Sequence, residues 1–457
     1  MSLVNTMDLN RFETAPELAS QSSYSAMKLH RKCPQAFTYR YILGLEEESD
    51  EPTPYKTLGT WWAVLRAVES LTRGREGETL VFVPESLSDA GEGFDFNPKT
   101  AEVAEVFEGS ERRWKSMSAD ERDAFTQALG DTLPERLRSM YDMWNAANRN
   151  RFEREAPLGA EVYWERELPR PESDARWSLV NAKKVPTMKL IGYVDEVYFD
   201  RERGMVVVRD HKSMKDLSRG NSALDDLMDS QLMLYAWGIT PLFKEKGLQP
   251  PRAVGYDRVR SVAPKEPVLT ASGGLSKSVT AYDLDTYKRW AMKDTRPTDE
   301  ELWEMVPDGS EADRLADFDQ LAEQRDKLKP GRMWGKFGEY YVSGAKKGQP
   351  KFGIYELDPK VLENLSTPAE KARWVARTLT PVNRHMLEAH LRTAVDSALD
   401  IFETSKRVQE TGAAARNLDR VGCSWCEFAP LCQAQLVGGP RGEYELEAYG
   451  LRQREKK

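Results

Sequence analysis

Asp195, Asp210 and Lys212 interrupt apolar, β-branched runs in GYVDEVYFDRERGMVVVRDHKSMK, residues 192–215. Alternate side chains of a strand share a face, so Asp210 and Lys212 continue the row begun by Val206 and Val208. By the same alternation Asp195 is expected on a face with Tyr193, Val197 and Phe199. A carboxylate among such neighbours is disfavoured unless a cation offsets its lost hydration, and a divalent metal ion would supply that cation. An Asp-x-Lys at a strand end also describes an ordinary surface ion pair, so the surrounding elements decide.

Three runs, GAEVYWEREL, MKLIGYVDEVYFD and GMVVVRDHKS, predict successive strands from residue 159 onward. LDDLMDSQLMLYAWGITPLF (224–243) then predicts a helix, and RAVGYDRVRSVA (252–263) a fourth strand. On that helix Gln231 and Tyr235 stand at i and i+4, close enough to reach the same strand end, although such a pair alone also reads as packing. Upstream, TLGTWWAVLRAVESL (57–71) sets Trp61, Leu65, Val68 and Leu71 on one helical face, which completes an αβββαβ order. Nearer the start, Ser23 or Ser25 can cap a helix in which Phe37, Tyr41 and Leu45 recur at four-residue spacing. The expected division is an N-terminal arm (1–45), a mostly helical region holding the first core helix (46–158), a core sheet with its helix (159–263), an insertion (264–360), a second helical region (361–420) and a cysteine-bearing tail (421–457).

A net charge of -8 over 457 residues argues against a general polycation that coats nucleic acid, but not against a local basic groove. Within 252–279, Arg252, Arg258, Arg260, Lys265 and Lys277 face only Asp257 and Glu266. An exposed edge strand and loop explains that bias as well as contact with a phosphate backbone does, and Arg258, Arg260 and Lys265 are the candidate contacts. Trp61, Trp62, Tyr39 and Tyr41 could stack on bases, though core packing is the commoner fate of such rings. No run approaches the eighteen or so apolar residues of a membrane span, and the N-terminus lacks a basic region followed by an apolar one, so a cytoplasmic protein with no membrane partner is expected.

Taken together, GYVD, DHK and QLMLY resemble the ordered motifs of the PD-(D/E)XK nuclease superfamily in its RecB-like branch. The resemblance covers 20–45, 57–71, 159–262 and 421–433. It implies an α/β restriction-endonuclease-like core, with a mixed central sheet flanked by helices, and hydrolysis of DNA. Asp195, Asp210 and the backbone carbonyl of His211 would hold Mg²⁺ or Mn²⁺ through hard oxygens. Lys212 would orient and help deprotonate the attacking water, while Gln231 and Tyr235 would position the scissile strand. On this reading only the carbonyl of His211 is used. One position departs from the pattern: where the family often has a first-helix His ligand, GTWWA places Ala63. Water or a carboxylate such as Glu161, Glu165 or Glu167 is left to replace it.

The chain's four cysteines form one pattern, Cys33 near the start and then Cys423, Cys426 and Cys432 as C-x₂-C-x₅-C. A reducing cytoplasm disfavours disulfides, so a metal site is the better reading, and four thiolates suit zinc or an iron-sulfur cluster equally. The split spacing resembles that of the iron-sulfur nucleases, including AddB-type, CRISPR-associated and phage-borne RecB-like exonucleases. That resemblance implies a [4Fe-4S] cluster stapling the N-terminal arm to the C-terminal tail. The expected protein is therefore an exonuclease preferring single-stranded ends in phage or bacterial recombination and repair, with a helicase, a recombinase or a single-strand-annealing protein as partner. Its rivals are a nuclease-fold DNA-binding or assembly subunit that lost turnover with Ala63, and a zinc-stapled binding module.

Overall fold

A computed structural model describes residues 15, 20–47, 54–87, 96–148, 150–169, 188–217, 227–262, 298–306, 308–326, 374–418, 420–424, 426–437 and 449–451. Its strands are β1 (Gln21–Ser23), β2 (Leu45–Glu47), β3 (Glu155–Glu167), β4 (Lys189–Asp200), β5 (Met205–Met214), β6 (Ala253–Arg260), β7 (Val375–Arg377), β8 (Thr380–Pro381) and β9 (Tyr449–Leu451). The helices are α1 (Tyr24–Lys32), α2 (Pro34–Phe37), α3 (Pro54–Glu76), α4 (Val103–Ser116), α5 (Ala119–Leu129), α6 (Leu133–Ala147), α7 (Arg151–Arg154), α8 (Ser230–Glu245), α9 (Asp299–Met305), α10 (Glu311–Asp326), α11 (Arg384–Thr411), α12 (Arg420–Ser424) and α13 (Ala429–Val437). The segment α3-β3-β4-β5-α8-β6 has the expected αβββαβ order, and α9 and α10 are the described part of the expected insertion.

The core is a mixed, seven-stranded sheet with the path β1-β4-β5-β6-β7, in which β3 also pairs with β4 and β8 with β6. β3, β4 and β5 run antiparallel in succession, whereas β5 and β6 are parallel, as the α8 crossover between them requires. β6 is not the exposed edge that its basic composition suggests, because β7 and β8 cover its far side. Helices enclose both faces. α8, α1 and α11 share one apolar core with Val197, Val208 and Val254, and α3 to α6 build a second core against Ala160 and Val259. Trp61 and Trp62 are buried in the second core and Tyr39 in the first, which makes them packing residues, and Tyr41 is half-buried beside Phe37.

Local chemistry accounts for the element ends. Ser23 caps α1 by accepting the Ala26 N–H at 3.2 Å. A π-turn over Thr38–Ile42 follows α2, and Leu45 lies in β2, so the four-residue spacing of Phe37, Tyr41 and Leu45 does not continue as one helix. α8 can approach the sheet because Gly238 leaves room for the Trp164 ring, which a Cβ there would meet at 2.2 Å. Gly192 of the GYVD run serves the same ring from the strand side, where a Cβ would stand 3.0 Å from its indole nitrogen.

Candidate active site

The β4–β5 ladder runs from Asp200↔Met205 to Glu196↔Arg209 and stops there, while β1 joins β4 only at Lys189–Ile191. Residues 192–195 therefore border a gap between two neighbours on the same side. In that gap the His211 N–H donates to Asp195 Oδ2 at 2.7 Å, a side chain taking the place of a ladder carbonyl. The alternation of β4 slips at the same point. Val197 and Val194, three residues apart, both enter the α8-side core. Tyr193 instead packs against the exposed Tyr163 ring at 5.2 Å, so it does not share the Asp195 face.

Across from this gap, β5 presents Asp210 and Lys212, aligned in register with Tyr256 and Arg258 of β6. Lys212 Nζ lies 2.6 Å from Asp210 Oδ2, and Gln231 Nε2 donates to Asp210 Oδ1 at 3.2 Å. Gln231 Nε2 also stands 2.7 Å from the Tyr235 hydroxyl, so the i,i+4 pair reaches the strand end that its spacing suggests. Asp229, absent from the sequence expectations, caps α8 by accepting the Gln231 N–H at 2.8 Å and accepts the Tyr256 hydroxyl at 2.8 Å. An Asp just before SQLMLY is an N-cap signal, obscured by starting the helix at residue 224. His390 on α11 holds the same corner, its Nε2 2.9 Å from the Leu227 carbonyl and its Nδ1 2.9 Å from the Ser230 hydroxyl.

The charges suit a divalent cation. Burial, then the Asp210 charge, push the Asp195 carboxyl up to about 7 against the pull of Lys212 and the His211 N–H. Burial also raises Asp210, opposed by Lys212 and reinforced by Asp229. Burial works against the Lys212 ammonium, but Asp210 and Asp195 more than offset it and hold the amine above the ordinary lysine range. Two carboxylates destabilised by each other beside a single lysine make a hard-oxygen donor set with surplus negative charge, which Mg²⁺ or Mn²⁺ fits.

The match to the PD-(D/E)XK nuclease model extends over residues 21–433. The chain belongs to the PD-(D/E)XK nuclease superfamily. Members of this superfamily are metal-dependent nucleases, and the mixed sheet between helical layers is their fold. No curated protein matches the chain.

In this superfamily member, the sheet's other face carries a buried ionic network that the sequence did not reveal. Glu196 accepts from Arg151 and Ser70 and lies 3.4 Å from Arg209. Glu155 accepts from Arg209 at 2.8 and 3.1 Å, from Arg151 at 2.6 Å and from Arg377 at 2.8 Å. Arg377 also binds Asp257 at 2.7 and 3.1 Å, and Arg66 pairs with Glu69 while stacking on Trp144. The His211 ring sits inside this network, 3.4 Å from Glu196 and 3.8 Å from Asp257, so the residue is not a His by accident. Glu196, His211 and Asp257 are close enough to ligate one ion. Arg66, Arg151, Arg209 and Arg377 nevertheless already balance Glu69, Glu155, Glu196 and Asp257, and burial lowers His211 to about 4, so charge balance is reached without a metal there.

The expected DNA contacts are placed differently from one another. Arg258 is only 5% exposed, its guanidinium over the Tyr256 ring at 4.2 Å, beside Lys212 and not at a surface edge. Arg260 is half-buried with its guanidinium 5.3 Å from the Trp374 ring, and Lys265 lies outside the described residues. Glu165 pairs with Lys189 at 2.9 Å on the surface, and Glu167 is exposed.

One prediction follows from Asp195. With a folded value near 7 and an unfolded one near 4, the native state holds a proton that the unfolded chain has released. Stability of the metal-free protein therefore falls as pH rises through that window, and divalent metal restores it. At about pH 8, metal-free Asp195→Asn is expected to be more stable than the parent by about 1–3 kcal/mol and to lose the Mn²⁺-dependent gain in unfolding temperature. Calorimetry at about pH 5.5 and 8, with chelator or with Mn²⁺, measures both. An Asp195→Asn protein that still gains stability from Mn²⁺ would remove Asp195 from the ligand set.

Proposed function

We propose that the protein is a Mg²⁺- or Mn²⁺-dependent deoxyribonuclease that hydrolyses phosphodiester bonds at DNA ends, single-stranded ends preferred, in phage or bacterial recombination and repair. The observation that carries this reading is the convergence of Asp195, Asp210, Lys212, Gln231 and Tyr235 on the fork between β4 and β5. A divalent ion held by Asp195, Asp210 and the His211 carbonyl would neutralise charge on the phosphate and favour its in-line attack by water. Lys212 orients that water and, while it keeps its own proton, stabilises charge on the phosphate. It becomes a base as the Asp210 and Asp195 charges that hold its proton are neutralised. Gln231, anchored to Asp210 and Tyr235, fixes the scissile strand. The same reading has it work on cytoplasmic DNA beside a helicase, a recombinase or a single-strand-annealing protein; among the described residues no helix is long and apolar enough to cross a membrane. Digestion of end-labelled single- and double-stranded DNA with Mg²⁺ or Mn²⁺ tests the reading. Ala63 favours a second one, a nuclease-fold DNA-binding or assembly subunit, which the same assay would reveal as binding without cleavage.

The proposed nuclease also carries a [4Fe-4S] cluster on Cys33, Cys423, Cys426 and Cys432. In support, all four cysteines line one cavity of about 150 Å³ at the seam between the N-terminal arm and the C-terminal tail. That seam is already closed around them: Gln35 N–H donates to the Ala415 carbonyl at 3.1 Å, Arg40 pairs with Glu427, and β2 pairs with β9. Sulfurs sharing one zinc at about 2.3 Å would stand about 3.8 Å apart. No three of these sulfurs come within 4.8 Å of one another, so the cysteines line the cavity without being gathered around one point. Anaerobically purified protein is expected to be brown and to hold iron and sulfide, both lost in a Cys426→Ala variant. Zinc without iron or sulfide would overturn the assignment.

A further inference from the structure

Ala63 removes a side-chain ligand that the fold family commonly draws from its first helix. Gly59, one turn earlier on α3, packs against the end of β5, where a Cβ would stand 3.2 Å from Ser213 Oγ. Ala63 is partly exposed in a stretch of α3 whose neighbours are otherwise buried. A methyl group offers no donor, so any third protein ligand comes from another element.

β3 supplies one at an irregular point. In its register with β4, Ala160↔Glu196 and Val162↔Val194 bracket Glu161 and Asp195, which puts Glu161 directly across from Asp195. Glu161 has φ +47, a left-handed conformation that a non-glycine residue adopts at a cost in free energy. It stands where the alternation of β4 slips, and irregularities of this kind re-aim a side chain beside active sites. The Tyr235 phenol, raised by burial and then by Asp210 and Asp195, is raised further by Glu161, so all three carboxylates act on one hydroxyl at the fork. The other three acids of β3 do not compete: Glu155 is held by Arg151, Arg209 and Arg377, Glu165 is engaged by Lys189 at the surface, and Glu167 is exposed near the strand's far end.

We propose that Glu161 is the third carboxylate of the metal site, replacing from the first core strand the ligand that Ala63 cannot provide. This rests on the metal-dependent reading above and deepens it. Three acids against Lys212 would also favour tight binding of a hard, oxygen-seeking ion, since a single histidine ligand brings no charge.

Mn²⁺ binding, measured by titration calorimetry and by loss of the free-ion electron paramagnetic resonance signal, tests the assignment without any turnover. Glu161→Gln is expected to weaken Mn²⁺ at least tenfold, Glu165→Gln to leave it at the parental value, and Ala63→His in the Glu161→Gln background to recover most of the loss. Glu161→Gly serves as the control for folding. Relief of the left-handed φ should raise its metal-free unfolding temperature while Mn²⁺ affinity still falls, a split that a purely structural glutamate would not give. Asp210→Asn separates the two levels of inference. If Asp210→Asn loses Mn²⁺ and Glu161→Gln binds like the parent, the metal site stands and the Glu161 assignment falls. If the parent itself binds no Mn²⁺, both fall.

Discussion

Asp210→Asn is expected to lower Mn²⁺-dependent cleavage of DNA ends by about 10³-fold or more, and Lys212→Ala to do the same by a different route. Asp210 is held by Lys212 on one oxygen and by Gln231 on the other, so its loss removes a proposed metal ligand and releases both partners together. Lys212→Ala leaves the carboxylates in place and takes away the ammonium that pairs with Asp210. Metal affinity should then be kept or increased while turnover is lost. Single-turnover digestion of end-labelled single- and double-stranded DNA, with Mn²⁺ affinity measured on the same proteins, distinguishes the two behaviours. Gln231→Ala should fall between them, since Gln231 anchors Asp210 and Tyr235 and has no proposed metal-ligand role. A parent protein that cuts no DNA end under any divalent metal would sink the enzymatic reading. Lys212→Ala at parental activity would show that another group handles the attacking water.

What the sequence made legible, and what it hid, divides along the sheet. Asp195, Asp210 and Lys212 could be found because charge in a β-branched run violates the expected pattern, and Gln231 and Tyr235 because helical spacing limits what they can reach. Arg209 and His211 flank Asp210 in the RDHK run, yet their role was illegible, since it depends on Glu155, Arg151 and Arg377. No local periodicity connects residues so far apart in the chain. The burial of Arg258 was hidden for a related reason. A basic strand looks like a solvated edge until β7 and β8, more than a hundred residues later, are found to cover it. The slip at Asp195 was hidden as well, because strict alternation is the only rule a sequence offers and Glu161 breaks it through a backbone angle.

The hidden face should matter as much to stability as the visible face does to chemistry. Arg209 is about 1% exposed and touches Glu155, Glu196 and Asp257, whose carboxyls its charge helps hold below the ordinary range against the cost of burial. Arg209→Met fills much of the same volume but leaves three buried carboxylates short of a cation, and the expected loss is about 3–5 kcal/mol. Lys189→Ala removes an exposed pair with Glu165 and should cost less than about 1 kcal/mol. Urea unfolding at neutral pH measures both. The pH dependence provides a second signature, opposite in sign to that of Asp195. Carboxylates with depressed values contribute stability that is present above about pH 4.5 and lost on acidification through their folded values, so the parent should unfold in acid and Arg209→Met should lose most of that dependence. The consequence reaches the active site through β5, where Arg209 and His211 alternate with Asp210 and Lys212. A shift of one residue in that strand would carry Arg209 to the side of Asp195 and Gln231 and bury Asp210 in the ionic core. The network thereby fixes which charges meet the phosphate, and Arg209→Met should weaken Mn²⁺ binding even though Arg209 lies on the opposite face of the sheet. An Arg209→Met protein with parental stability and parental Mn²⁺ affinity would show that apolar packing alone sets the register.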